Sequence, residues 1–185
     1  MRDPKIEAFK NEIHNHKLLR QNKLIIFSES QDTAKYLYQE LSPLFNNRVI
    51  QFSGASSKQD KIEVINNFDP NALEPSDQYD LLITTDVLAE GTNLHRSNII
   101  INYDIPWNPT RIMQRVGRIN RLDTKFEEIH TYTFFPTNQS NDEIQLKECA
   151  ERKIKSFISL LGNDYHLLSE DEEIETHKLF DILDG

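Results

Sequence analysis

The chain has 185 residues, 37% of them hydrophobic, enough for one good core plus appendages. A net charge of −9 speaks against a uniformly basic nucleic-acid-binding surface, and a single cysteine, Cys149, excludes a disulfide frame and a thiolate metal site. No apolar run approaches a membrane span and Met1-Arg2-Asp3-Pro4-Lys5 lacks a signal-peptide core, so a cytoplasmic protein without membrane contact is expected.

Continuous apolar runs alternate with amphipathic stretches, the signature of a parallel sheet covered by helices on both faces. Asp3-Pro4 opens a helix whose Ile6, Phe9 and Ile13 line one side. Leu24-Ile25-Ile26-Phe27 reads as a buried strand. Ser30 or Asp32 then caps a helix through Leu41, stopped by Ser42-Pro43. Arg48 to Phe52 is a second strand, followed by the loop Ser53-Gly54-Ala55-Ser56. Ser57-Lys58-Gln59-Asp60 forms a capping box that opens a helix through Phe68. After a loop from Asp69 to Gln78, Leu81-Leu82-Ile83 and Ile99-Ile100-Ile101 are further buried strands, with a short turn element between them. Asn108-Pro109 caps a helix that carries arginines, and Glu128 to Phe135 alternates as a strand. A long helix is expected from about Asp142 to Leu161, ended by Gly162-Asn163.

Charge is distributed very unevenly. From Asp164 onward eight acids face one base, Lys178, giving −7; the other 163 residues therefore carry only −2. The window Arg111 to Lys125 holds five bases against Asp123. An acidic tail on a near-neutral body with a basic stripe is compatible with binding a phosphate backbone.

Two segments carry the chemistry. Thr84-Thr85-Asp86-Val87-Leu88-Ala89-Glu90-Gly91-Thr92-Asn93 follows a buried strand, placing it at the carboxyl edge where open α/β sheets bind ligands. A plain strand-to-helix turn with Thr and Asp caps is the alternative. The second is Gln114-Arg115-Val116-Gly117-Arg118-Ile119-Asn120-Arg121, whose arginines recur every three residues and would form a stripe on a helix. Such guanidiniums repel one another, and their planar donor forks suit a polyphosphate. A solvated, salt-bridged face is the competing reading, but no acid stands at helical spacing from Arg111, Arg115, Arg118 or Arg121 before Asp123. Gly117 inside a helix would cost up to about 1 kcal/mol, which makes sense if something approaches the backbone there.

The arginine segment resembles motif VI of superfamily-two helicases, Gln-Arg-x-Gly-Arg-x-x-Arg, and the Thr-Asp segment resembles their motif V. Lys23 to Ser30 is similar to motif IV, and Ile99 to Thr110 to the segment linking motifs V and VI, with Asp104 and Trp107 its notable members. Trp107 reads as a packing anchor or, alternatively, a base-stacking platform. The resemblance spans about Lys23 to Phe135 and implies an α/β fold: a RecA-like parallel sheet sandwiched between helices, with an acidic helical appendage. It divides the chain into a helical lead-in (1–22), the helicase C-terminal domain (23–162) and an acidic tail (163–185).

The resemblance also implies roles. Arg118 and Arg121 would be arginine fingers on the terminal phosphate of ATP; Gln114, Arg115, Gly91 and Asn93 would approach the nucleotide. Ser28, Ser53, Gly54, Lys58, Thr84 and Thr85 would meet a nucleic-acid backbone. Glu90 stands where many relatives carry arginine, Asn120 replaces a second glycine, and Gln114 replaces histidine. The last two choices lean towards Swi/Snf-like translocases, and hence DNA rather than RNA.

None of the five glycines precedes a lysine, so the chain has no P-loop, and no Asp-Glu-x-x box follows a strand. The expectation is therefore the second motor lobe of a longer ATP-dependent helicase, inactive alone. Its partner would be an N-terminal RecA-like lobe of the same parent chain, which would hold the phosphate loop and Mg²⁺. A degenerate, non-catalytic lobe that docks proteins is the alternative. A dinucleotide enzyme fails for want of a Gly-x-Gly turn. His14 and His16, two residues apart, fall on different helix faces, so no metal site is expected.

Overall fold

The computed structural model describes residues 3–89, 92–104, 106, 109–120 and 125–134. Five strands form one parallel sheet: β1 (Leu24–Ser28), β2 (Val49–Phe52), β3 (Leu81–Thr85), β4 (Ile99–Asn102) and β5 (His130–Thr133), in the order β2-β3-β1-β4-β5. Their central members are apolar on both sides because both faces are covered.

The two-residue period of a strand sorts these side chains into two cores. Leu24, Ile26, Leu81, Ile83, Ile99 and Ile101 face one layer, which contains α1 (Pro4–Asn15), α2 (Lys17–Gln21) and α3 (Gln31–Leu41). Ile25, Phe27, Leu82 and Ile100 face the other, against Val64 and Phe68 of α4 (Lys58–Phe68) and Ile112 and Val116 of α5 (Pro109–Val116). Parallel register keeps the sorting consistent, since Leu24 lies opposite both Leu81 and Ile99.

The expected caps of α1, α3 and α4 are in place, whereas Asn108 and Gly162-Asn163 lie outside the described residues. Asp3 accepts from Lys5 N–H, Ser30 rather than Asp32 caps α3 through Thr33 N–H, and Ser57 with Asp60 closes a reciprocal capping box on α4. The first helix is built into the core: Ile6, Phe9 and Ile13 are at most 5% exposed, and Phe9 meets the Phe134 ring edge-on at 4.9 Å.

Three local expectations are corrected. β3 runs two residues further than the apolar triplet, through Thr84 and Thr85. Strand β5 is shorter than the alternating stretch at its amino end, starting at His130. The arginine helix stops at Val116, so the three-residue spacing is not one helical stripe. Beyond it Arg118 N–H bonds to the Arg115 carbonyl and Ile119 N–H to that of Val116, contacts three residues apart that wind a tight turn. Gly117 thus follows the last helical residue, a position that favours glycine, and carries no mid-helix penalty. The long helix expected over 142–161 and the acidic tail lie outside the described residues.

Candidate functional site

Chain direction locates the site before any side chain does. After β1 the chain crosses towards β2, and after β4 it crosses towards β5, so loops diverge at the carboxyl ends of neighbouring strands. This is the crevice where open α/β sheets take ligands. Glu29 follows β1, Asp86 follows β3, Asn102 ends β4, and α5 lies across them.

Arg115 occupies the centre. Its side chain is 0% exposed, and each of its three nitrogens has a partner from a different strand end. Nε donates to Asp86 Oδ1 at 2.7 Å, Nη1 to Asn102 Oδ1 at 2.7 Å and Nη2 to Glu29 Oε1 at 2.9 Å. The guanidinium lies 4.9 Å from the Phe27 ring centroid, which adds a cation–π contact. Arg111, one turn earlier and half exposed, reaches the second oxygens of the same acids: Glu29 Oε2 at 2.6 Å and Asp86 Oδ2 at 3.0 Å. Two guanidiniums thus face two carboxylates, and the cluster is neutral. The helix's own sequence offers these arginines no acidic partner, because the acids arrive from other strands. The available signal was a carboxylate immediately after each of two buried strands.

Asp104 makes a second junction at the same edge. It accepts from Ser28 Oγ at 2.8 Å and from Glu29 N–H at 3.3 Å, tying the loop after β4 to the end of β1. Lys5 Nζ of α1 donates to the Tyr103 carbonyl at 2.6 Å and to Asp104 Oδ1 at 3.4 Å. Burial lowers the Lys5 ammonium pKa, with Asp104 opposing the shift.

Arg118 differs from Arg115. Its carbonyl accepts from Leu94 N–H at 2.9 Å, which fastens the arginine turn to the loop after β3. Its Nε is buried without a hydrogen-bond partner among the described residues, as is the Thr92 hydroxyl.

The other expected site residues are scattered along the same edge. Asn93 is half-buried and Gln114 exposed. Ser28 and Thr84 are fully buried; the Thr84 hydroxyl donates to the Thr85 carbonyl at 3.1 Å. Thr85 is 8% and Ser53 7% exposed, whereas Gly54 and Lys58 face solvent. A Cβ on Gly54 would come within 3.2 Å of Gln31 Nε2 and 3.9 Å of Val87, so the turn after β2 abuts the turn after β3. Gly91, Arg121, Glu90 and Trp107 lie outside the described residues. No described helix is long and apolar enough to cross a membrane.

A five-stranded parallel RecA-like lobe, with an arginine turn fastened to the Thr-Asp loop at its carboxyl edge, defines the class: the C-terminal lobe of a superfamily-two helicase. The helicase conserved C-terminal domain family matches residues 4–123, well over half of the chain, and the protein belongs to that family. It is 40% identical over 105 residues to the uncharacterized ATP-dependent helicase YqhH of Bacillus subtilis (56% of this chain, 18% of that protein). It is 30% identical over 109 residues to a probable eukaryotic initiation factor 4A of Trypanosoma cruzi (59% and 25%). It is 36% identical over 111 residues to the ATP-dependent RNA helicase ROK1 of Saccharomyces cerevisiae (60% and 18%). The chain thus spans 18–25% of these relatives' own lengths.

Two solved structures share the fold. The C-terminal part of the Fun30 ATPase domain superposes with a TM-score of 0.64 at 23% identity, over 98% of this chain and 53% of that one. The C-terminal domain of the DEAD-box protein Dbp5 gives 0.59 at 20% identity, over 82% and 79%.

Proposed function

We propose that this chain is the second motor lobe of an ATP-dependent helicase or translocase. In this reading it closes over ATP held by an N-terminal RecA-like lobe of the same parent and supplies Arg118, with Arg121, to the transferred phosphate. The observation that carries the reading is the buried, unpartnered Arg118 Nε in a turn whose main chain is bonded to the Thr-Asp loop. An unpaired guanidinium nitrogen fits an anionic phosphate oxygen. Charge that develops during transfer draws most from donors already in place. Mg²⁺ and the water-positioning acid belong to the other lobe in this scheme, which leaves the isolated chain without hydrolytic activity.

The nucleic-acid path starts at the exposed Lys58 and Gly54 and runs along the same edge past Ser53 and Thr85, which are nearly buried. Sequence details lean towards DNA, whereas ROK1 is named an RNA helicase. The chemistry common to both is the phosphodiester backbone, so binding is weak and sequence-independent, with a shallow salt slope because few phosphates are contacted.

Steady-state ATPase of the full-length protein, with saturating DNA or RNA in parallel arms, tests the assignment. Arg118→Ala and Arg121→Ala should each lower kcat by roughly 10²–10⁵-fold with far less effect on ATP affinity. Near-parental turnover in both variants would overturn it.

A further inference from the structure

Arg115 and Arg118 stand three residues apart in one arginine motif yet have opposite surroundings. Every Arg115 nitrogen is engaged by Asp86, Asn102 or Glu29, and no part of its side chain is exposed. Recruiting it to a phosphate would first break charge-assisted hydrogen bonds inside the protein. Arg118 has a buried Nε with no hydrogen-bond partner among the described residues. The two are joined through the main chain, because Arg118 N–H bonds to the Arg115 carbonyl at 3.1 Å.

Glu29 decides how Arg115 is held. Its two oxygens divide between Arg115 Nη2 at 2.9 Å and Arg111 Nη1 at 2.6 Å, both on α5 and one turn apart. Two anchors on a single helix fix its rotation as well as its position. Glu29 is itself oriented through its N–H, which donates to Asp104. Asp86 repeats the pattern from β3, so α5 is gripped from two adjacent strand ends.

We infer that Glu29, acting through Arg115 and Arg111, is a positioning residue that sets the turn carrying Arg118, and that Arg115 serves as an internal brace and not as a phosphate ligand. The inference rests on Arg118 as the phosphate-facing residue. Glu29→Gln keeps the shape but leaves the cluster with two cations and one anion, and it places an amide donor against one of the guanidiniums. The helix then loses one of its two fixed points, and Arg118 samples orientations away from the phosphate. A small misplacement at this distance is expensive for rate and nearly neutral for ground-state binding.

The test is an ATPase cycle in the full-length protein with Glu29→Gln, Arg118→Ala and the double variant. Glu29→Gln should lower kcat by about 10- to 100-fold with KM for ATP changed less than about twofold. On the Arg118→Ala background it should cause no further loss, because a brace has no effect once the braced group is gone. A multiplicative loss in the double variant, or an effect on KM alone, overturns the positioning role. If Arg118→Ala alone is harmless, the inference loses its premise and is overturned; the motor-lobe assignment fails only if Arg121→Ala is harmless as well, so the two failures are distinct.

A second readout uses the 185-residue chain alone. The Arg118 Nε–H NMR resonance should shift or broaden in Glu29→Gln, while that of Arg96, paired with Asp77 elsewhere, stays in place. An unmoved Arg118 signal overturns the inference. Should Glu29→Gln fold poorly, Arg111→Ala, which removes the exposed one of the two Glu29 anchors on α5, carries the test in the same cycle, with a smaller kcat-selective loss expected.

Discussion

At the scale of residues, Arg111 and Arg115 share both carboxylate partners but differ in burial. Arg115 is completely enclosed, whereas the Arg111 side chain is 46% exposed. Breaking a buried pair from one side typically costs 3–5 kcal/mol, while an exposed pair contributes about 0–1 kcal/mol. Arg115→Ala should therefore lower stability by about 3 kcal/mol, the low end of that range, because Arg111 still reaches both acids. Arg111→Ala should cost under about 1 kcal/mol. Lysine at 115 should rescue poorly, since one ammonium cannot reproduce a planar fork spread over three acceptors. Urea denaturation of the three variants checks this, and equal losses for Arg111→Ala and Arg115→Ala would contradict it. The distinction was invisible in the sequence, where both arginines lie in one basic stretch without acids. Burial and partners were set by strand ends 13 to 86 positions away.

Among elements, α1 shows how far a boundary drawn from motifs can depart from a boundary in energy. The motif-based domain begins at Lys23, yet Ile6, Phe9, Ile13 and Leu19 pack into the same core as the sheet. Burying a large apolar side chain contributes about 1.5–3 kcal/mol, so the four together are on the order of 6–12 kcal/mol, comparable with the whole stability of a domain. A chain starting at Lys23 should be unfolded or molten, with no cooperative thermal transition by circular dichroism and strong binding of a hydrophobic dye. A sharp transition near the parental midpoint would show the helix to be dispensable. The periodicity of Ile6, Phe9 and Ile13 made the helix legible; its docking partners Tyr103 and Phe134 lie far along the chain. The end of α5 was harder to read because arginines continue past it in threes. Gly117 marked the stop, but the same glycine in mid-helix had an equally coherent explanation.

For the whole molecule, alkaline pH offers a test of how tightly the layers close around the end of β4. Burial pushes the Tyr103 phenol well above its ordinary value, with Asp3, Tyr36 and Asp104 adding to the shift. A group that holds its proton more firmly when folded contributes stability that is full below the unfolded pKa. That contribution is lost as pH rises from about 10 upward. Lys5 works in the opposite direction: its lowered pKa means that the unfolded chain binds the extra proton, which favours the folded state as pH climbs towards 10. Tyr103→Phe removes only the first effect. Urea midpoints measured from pH 9 to 11 should fall less steeply for Tyr103→Phe than for the parent. Identical slopes would mean that the phenol ionises as readily folded as unfolded.

The amino-acid order by itself determined the layered parallel α/β architecture, the helix caps and the two motifs, because each depends on residues within one or two turns of one another. Apolar triplets, Ser57 with Asp60, and the Gln-Arg-x-Gly-Arg spacing are local facts. Only the tertiary structure decided which arginine has every nitrogen paired and which keeps a buried Nε without a partner among the described residues. That choice depends on strand order: β3, β1 and β4 bring Asp86, Glu29 and Asn102 to one edge beneath α5. Charges that look unpaired along the chain are paired across it, since a guanidinium is satisfied by whatever acceptors the fold delivers within about 3 Å, whatever their distance in sequence.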